Sequence, residues 1–160
     1  MVEKLKTIID KHTGNSNIDI SKYTKVRDFM FIWNLFEGII FKTDYKRNKK
    51  NQPVHALNIS QSIIDDTIGY FRLRYTNNPN LLNALNLKSS DQPDLIKKVL
   101  NENNEDKNDV ITTINTIIYR YRCNLFHGIK QVDKLWEQSD NFEAANKYMI
   151  ACLEAKFDIK

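Results

Sequence analysis

The chain has 160 residues, 41% of them hydrophobic, with only four glycines and three prolines. This length suits one domain that buries roughly 70% of the surface of its unfolded chain, and the scarcity of turn formers favours helix over sheet. Basic residues outnumber acidic ones by 24 to 20, for a net charge of +4, a mild tilt toward polyanionic partners that many proteins share. No apolar run approaches the roughly 18 residues needed to cross a bilayer. The first residues, Met1-Val2-Glu3-Lys4-Leu5-Lys6, do not read as a secretory leader, so the expectation is a cytoplasmic protein with free Cys123 and Cys152 and no membrane association.

Val2, Leu5, Ile8 and Ile9 keep helical spacing and predict a short first helix over residues 2–12, closed by Gly14-Asn15-Ser16-Asn17. Thr24 reads as the N-cap of a helix to about Tyr45, with Val26, Phe29, Met30, Trp33, Phe36 and Ile40 inward. This arc is wide enough to predict the central helix of the fold. Glu37 falls on it, where a carboxylate needs a partner or the edge of the core.

Lys42 to Lys50, containing Lys46, Arg47, Lys49 and Lys50, reads as a basic connector that could touch phosphates. His55 follows without a second ligand at metal spacing and, like His12, is expected at the surface. Ile59, Ile63, Ile64, Ile68, Phe71 and Tyr75 predict a helix over about 57–75. Near its end, Arg72 and Arg74 either face the negative end of the helix dipole or extend a phosphate-binding surface.

Asn77-Asn78-Pro79 breaks that helix, and Leu81, Leu82, Leu85 and Leu87 suggest a short helical turn. Asp91 is the expected cap of a helix through Asn101. These pieces read as an insertion without catalytic residues. A long helix starting at Asn108 or Asp109 then carries Val110, Ile114, Ile117, Ile118, Tyr121 and Leu125 as a stripe, with Arg122 beside it. After Gly128, Lys130 and Asp133 lead to a last helix that starts between Asp133 and Asp140 and ends near Phe157. In it Cys152 is a buried, unreactive thiol, and Trp136 at its entry packs over the preceding loop. The pattern is an all-α, up-and-down bundle of four to five main helices with short extra ones, forming a single domain over 1–160.

The chemistry concentrates in Tyr119-Arg120-Tyr121-Arg122-Cys123-Asn124-Leu125-Phe126-His127-Gly128. Arginine is a permanently charged fork suited to phosphate, and histidine exchanges protons near neutrality. In an unbroken helix Arg122 and His127 would lie about 140° apart around the axis. Gly128 marks a helix end, so His127 can swing toward an arginine still held on the helix. No metal-ligand cluster, P-loop or glycine-rich nucleotide cradle is present, and neither a metal nor a cofactor is expected.

The string Arg122-Cys123-Asn124-Leu125-Phe126-His127 resembles the Arg-x(4-6)-His signature of the HEPN superfamily, all-helical domains of prokaryotic toxin, abortive-infection and RNA-processing systems. Arg122 fits with four intervening residues and Arg120 with six, and Arg122 is preferred because Asn124 lies close by. The resemblance implies a metal-independent ribonuclease with Arg122 on the scissile phosphate, His127 as general base or acid and Asn124 or Arg120 assisting. It also implies a homodimer with both motifs in one cleft. Trp33-x-x-Phe36-Glu37 resembles what some HEPN branches place opposite the arginine, which gives Glu37 the role of orienting Arg122 or Arg120. Cys123 departs from the Asn, Asp or His common after the arginine. The alternative it raises is a catalytically silent HEPN-like module that binds RNA, acts as a scaffold, or partners a nucleotidyltransferase; in a toxin setting the resemblance also implies an antitoxin partner.

Overall fold

The computed structural model describes Thr7, Lys11 and residues 23–48, 52–101, 106–126, 135 and 138–159. Apart from Thr7 and Lys11, the expected first helix lies outside the described residues, as do His12, Lys49, Lys50, His127, Gly128, Lys130 and Trp136. Every regular element among the described residues is helical: α1 (Tyr23–Ile40), α2 (Tyr45–Asn48), α3 (Gln61–Thr76), α4 (Pro79–Asn83), α5 (Pro93–Asn101), α6 (Lys107–Phe126) and α7 (Ser139–Lys156). Short 3-10 turns at Pro53–Ala56 and Ser89–Asp91 complete the order. The fold is thus the all-α bundle that the periodicity implies.

The centre of the bundle is α6 rather than α1. Val110 through Ile118 are all buried, including Thr112, Thr113, Asn115 and Thr116, and a helix covered on every side belongs inside the bundle. Several of its polar groups find partners around it, while Thr113 Oγ1 and Asn115 Oδ1 are buried without a hydrogen-bond partner. Thr116 donates to the Thr112 carbonyl at 2.8 Å, and the Asn115 amide donates to the Gln52 side chain at 3.2 Å. The helix starts slightly earlier than its sequence suggests, because the Asp106 carboxylate accepts the backbone N–H groups of Asn108 and Asp109, both at 3.0 Å. That is an N-cap interaction, two residues before the expected start.

Val26, Phe29, Trp33, Phe36 and Ile40 of α1 point into the core as expected, whereas Met30 is exposed. The helix stops at Ile40 instead of reaching Tyr45. Lys42 and Thr43 take left-handed conformations, with φ of 52° and 67°, while the Glu37 carbonyl accepts both Phe41 N–H and Thr43 N–H at 3.1 Å. The basic run is therefore a tight turn followed by α2, which includes Lys46 and Arg47.

The segment that reads as an insertion is part of the core: Leu85, Ile96, Val99 and Leu100 are buried, and Arg72 of α3 donates to the Val99 carbonyl at 3.0 Å. On the other side of α3, the Tyr70 hydroxyl donates to Asn141 of α7 at 2.7 Å. Phe142, Ala145, Tyr148, Met149 and Cys152 form the buried face of α7. Burial pushes the Cys152 thiol up to about 12, as fits an inert core cysteine.

His55 is not a surface histidine. It is half-buried against α6, with Nε2 3.2 Å from the Thr112 hydroxyl, and burial lowers its pKa from 6.5. The folded protein therefore disfavours the imidazolium that the unfolded chain accepts. Stability contributed by the neutral ring is complete above pH 6.5 and is lost as pH falls through that value toward the lower folded pKa. Thermal melts of the parent and of His55→Asn at pH 7.5 and 5.5 should show a smaller acid-induced drop in Tm for the variant. An equal drop in both would assign the pH dependence elsewhere.

Candidate functional site

Four consecutive residues of α6 organise the site. At about 100° per residue, an α-helix sends Tyr119, Arg120, Tyr121 and Arg122 in four different directions. Tyr119 meets the α1 side of the bundle. Its ring stacks on Tyr45 with centroids 4.5 Å apart and planes at 22°, and lies 6.0 Å from Trp33. Burial, together with the adjoining Cys123, pushes its hydroxyl up to about 12, against the pull of Arg120 and Arg122.

Arg120 turns to the 3-10 turn. Its Nε donates to Asp91 Oδ2 at 2.7 Å, and a second guanidinium nitrogen reaches the same oxygen. That oxygen also accepts Lys88 N–H at 2.8 Å, so the expected cap of α5 instead closes its own turn and holds an arginine. Both side chains are buried, Arg120 at 8% and Asp91 at 3% exposure. Tyr121 points the opposite way from Tyr119. Its hydroxyl is 2.6 Å from that of Tyr75, and its ring meets Phe71 and Phe142 edge-on at 6.0 and 6.1 Å.

Arg122 is the fourth direction. It is half-buried, on the least covered side of the helix with half-buried Tyr119 and Leu125. The described helix reaches Phe126, the residue before His127. Arg122 therefore occupies the border of the core anticipated for it, and Arg120 projects about 160° away from it around the axis. The two arginines do not work side by side.

Several supporting residues have other tasks. The Asn124 amide donates to the Ala84 carbonyl at 3.1 Å and is buried, on the Arg120 side of the helix. Glu37 does not reach across the core to Arg120. Its carboxylate accepts the Trp33 indole N–H at 3.0 Å and Tyr45 N–H at 3.2 Å, tying α1 to α2. Cys123 is buried. Arg72 is held on Val99, and half-buried Arg74 lines a cavity of about 80 Å³ with Tyr75, Tyr121, Asn124 and Asn141. Lys46 is exposed, as is Lys42, and the stack of Tyr45 on Tyr119 places their segment beside the helix that bears Arg122. What the sequence does not reveal is the pairing of Asp91 with Arg120 and the stacking of Tyr119 on Tyr45.

Among the described residues no group of three or more His, Cys, Asp or Glu could hold a metal ion, and no helix is long and apolar enough to cross a membrane. Comparison with family models, curated proteins and solved structures gives no match. The resemblance to HEPN domains accordingly rests on the sequence strings alone.

The geometry separates the arginines by their effect on folding. Removing one partner of a buried ion pair strands the other, so Arg120→Ala should destabilise by about 3–5 kcal/mol. Arg122→Ala, at the border, should cost about 1 kcal/mol or less. Urea unfolding monitored by circular dichroism checks this, and similar losses in the two variants would contradict the assignment.

Proposed function

We propose that the protein is a metal-independent endoribonuclease that cleaves RNA by attack of the 2′-hydroxyl on the adjacent phosphorus, in a toxin-antitoxin or phage-defence setting. The observation that carries this reading is the division of labour between the arginines. Arg120 is committed to Asp91 in the core, while Arg122 stands at the border on the final described turns before His127. An arginine at such a border can bury its stem along the core and turn its charged fork toward a phosphate.

In this reading His127 removes the proton of the 2′-hydroxyl or protonates the leaving 5′-oxygen, and Arg122 binds the phosphate and offsets the charge that grows on it. The ring of Tyr119, stacked on Tyr45 and approached by the Arg120 guanidinium, holds the segment after α1 beside the motif helix. Lys42 and Lys46 supply positive charge near that ring. One Arg-His pair provides a single proton-transfer group, so two copies sharing a cleft would supply both acid and base.

A second reading is favoured by one observation. Asn124 and Glu37, the groups nearest the motif that could assist chemistry, are both engaged in structural hydrogen bonds. A module that binds RNA through Arg122 and the basic segment without cutting it, or that serves as a scaffold or as the partner of a nucleotidyltransferase, fits that engagement.

The experiment is incubation of the purified protein with total tRNA and with a labelled oligoribonucleotide in EDTA. The first reading predicts 2′,3′-cyclic phosphate ends, no cleavage of the matching deoxyoligonucleotide, and at least a 100-fold rate loss in Arg122→Ala and His127→Ala. Binding without cleavage would select the module. Cleavage retained by His127→Ala would sink the proposed chemistry.

A further inference from the structure

A groove on the far side of α3 from α5 has no part in the proposed chemistry. Helices α3 and α7 run antiparallel, since Tyr70 meets Asn141 while Ile63 shares a hollow with Lys147, Ala151 and Glu154. Along their outer seam lie two adjoining hollows of about 420 and 400 Å³, which share Ile63 and Lys147. Ala144, Ala151 and Ala155 are small enough to leave the floor open, and Ile63 makes it apolar. The lining from Asp140 to Ala155 spans 15 residues of α7, roughly 22 Å or four helical turns.

The rim is acidic on a chain whose overall charge is +4. Asp66, Asp140 and Glu143 line one hollow and Glu154 the other, against a single cation, Lys147. That lysine is bound to Glu143 at 3.0 Å, and Lys25 reaches the same carboxylate at 3.1 Å. Asp66 and Asp140, both exposed, leave the first hollow negative. Such a rim repels phosphates, so the groove does not suit the RNA proposed for the opposite chemistry.

We propose that this groove docks an amphipathic helix of a partner protein, about four turns long, with a narrow apolar stripe flanked by lysines or arginines. A channel between two helices accepts the ridge of a third, and apolar anchors at i, i+3, i+4 and i+7 would fill the alanine-lined floor. Basic flanks meet the carboxylates, which favours encounter and selects against acidic helices. A second copy of this chain does not offer that helix among its described residues. Its exposed apolar side is on α1, where the nearby cation Arg27 is bound to Asp28.

The test uses two fluorescein-labelled 16-residue helical peptides with the same leucine-alanine stripe, one flanked by lysines and the other by glutamates. Fluorescence anisotropy in low salt should show the lysine peptide binding at least tenfold more tightly. The double substitution Asp66→Lys with Asp140→Lys, at exposed positions that leave the core untouched, should abolish that preference. Ala151→Arg, which fills the floor, should weaken the lysine peptide at least tenfold. Equal affinity for both peptides, no binding of the lysine peptide, or unchanged binding by the double variant would overturn the proposal. Self-association abolished by Ala151→Arg would assign the groove to a second copy and would also overturn it.

Discussion

The buried ion pair between Arg120 and Asp91 is the constraint on which the rest of the site depends. Placing two charges in the interior is costly, and their mutual attraction with additional hydrogen bonds must offset the loss of water. Asp91 meets that requirement by accepting from both Arg120 and the Lys88 backbone. The pair also fixes a rotation. Because α6 is a regular helix, holding Arg120 toward the 3-10 turn leaves Tyr119, Tyr121 and Arg122 no choice of direction. A specificity role of this kind for a buried charge pair is compatible with its modest net contribution to stability.

Two aromatic groups then clamp the helix from opposite sides. Tyr119 is held by Tyr45 and Trp33, and Tyr121 by Phe71, Phe142 and the Tyr75 hydroxyl. The first group links the motif helix to the basic turn after α1. Glu37 supports that link by fastening Trp33 to Tyr45, so its influence on Arg122 is through the aromatic wall. In this way a carboxylate predicted to touch an arginine acts on the position of the surface around it.

Much of the fold was legible because apolar periodicity reports which face of a helix is covered. The inward faces of α1, α3 and α7 follow that rule, as does the burial of Cys152. The central position of α6 was harder to read. Its buried threonines and Asn115 look polar in sequence, and the hydrogen bonds of Thr116 to the helix itself, between Thr112 and His55, and from Asn115 to Gln52 offset part of the cost of their burial. The end of α1 depended on two left-handed non-glycine residues, Lys42 and Thr43, which carry no strong turn signal. Within the site, helical geometry alone separates Arg120 from Arg122. Which of them faces the core could not be read locally, because Asp91 lies 29 residues away in a segment that resembles a surface insertion.

The most direct measurement of the central claim is hydrogen exchange at the arginine side chains, followed by the Nε–Hε resonances of isotopically labelled protein. The account predicts that the Arg120 Nε proton is strongly protected and that Asp91→Ala removes this protection, while exposed Arg27 exchanges rapidly in both proteins. If Arg120 exchanges as quickly as Arg27 in the parent, the buried pair does not hold α6 and the orientation inferred for Arg122 loses its foundation.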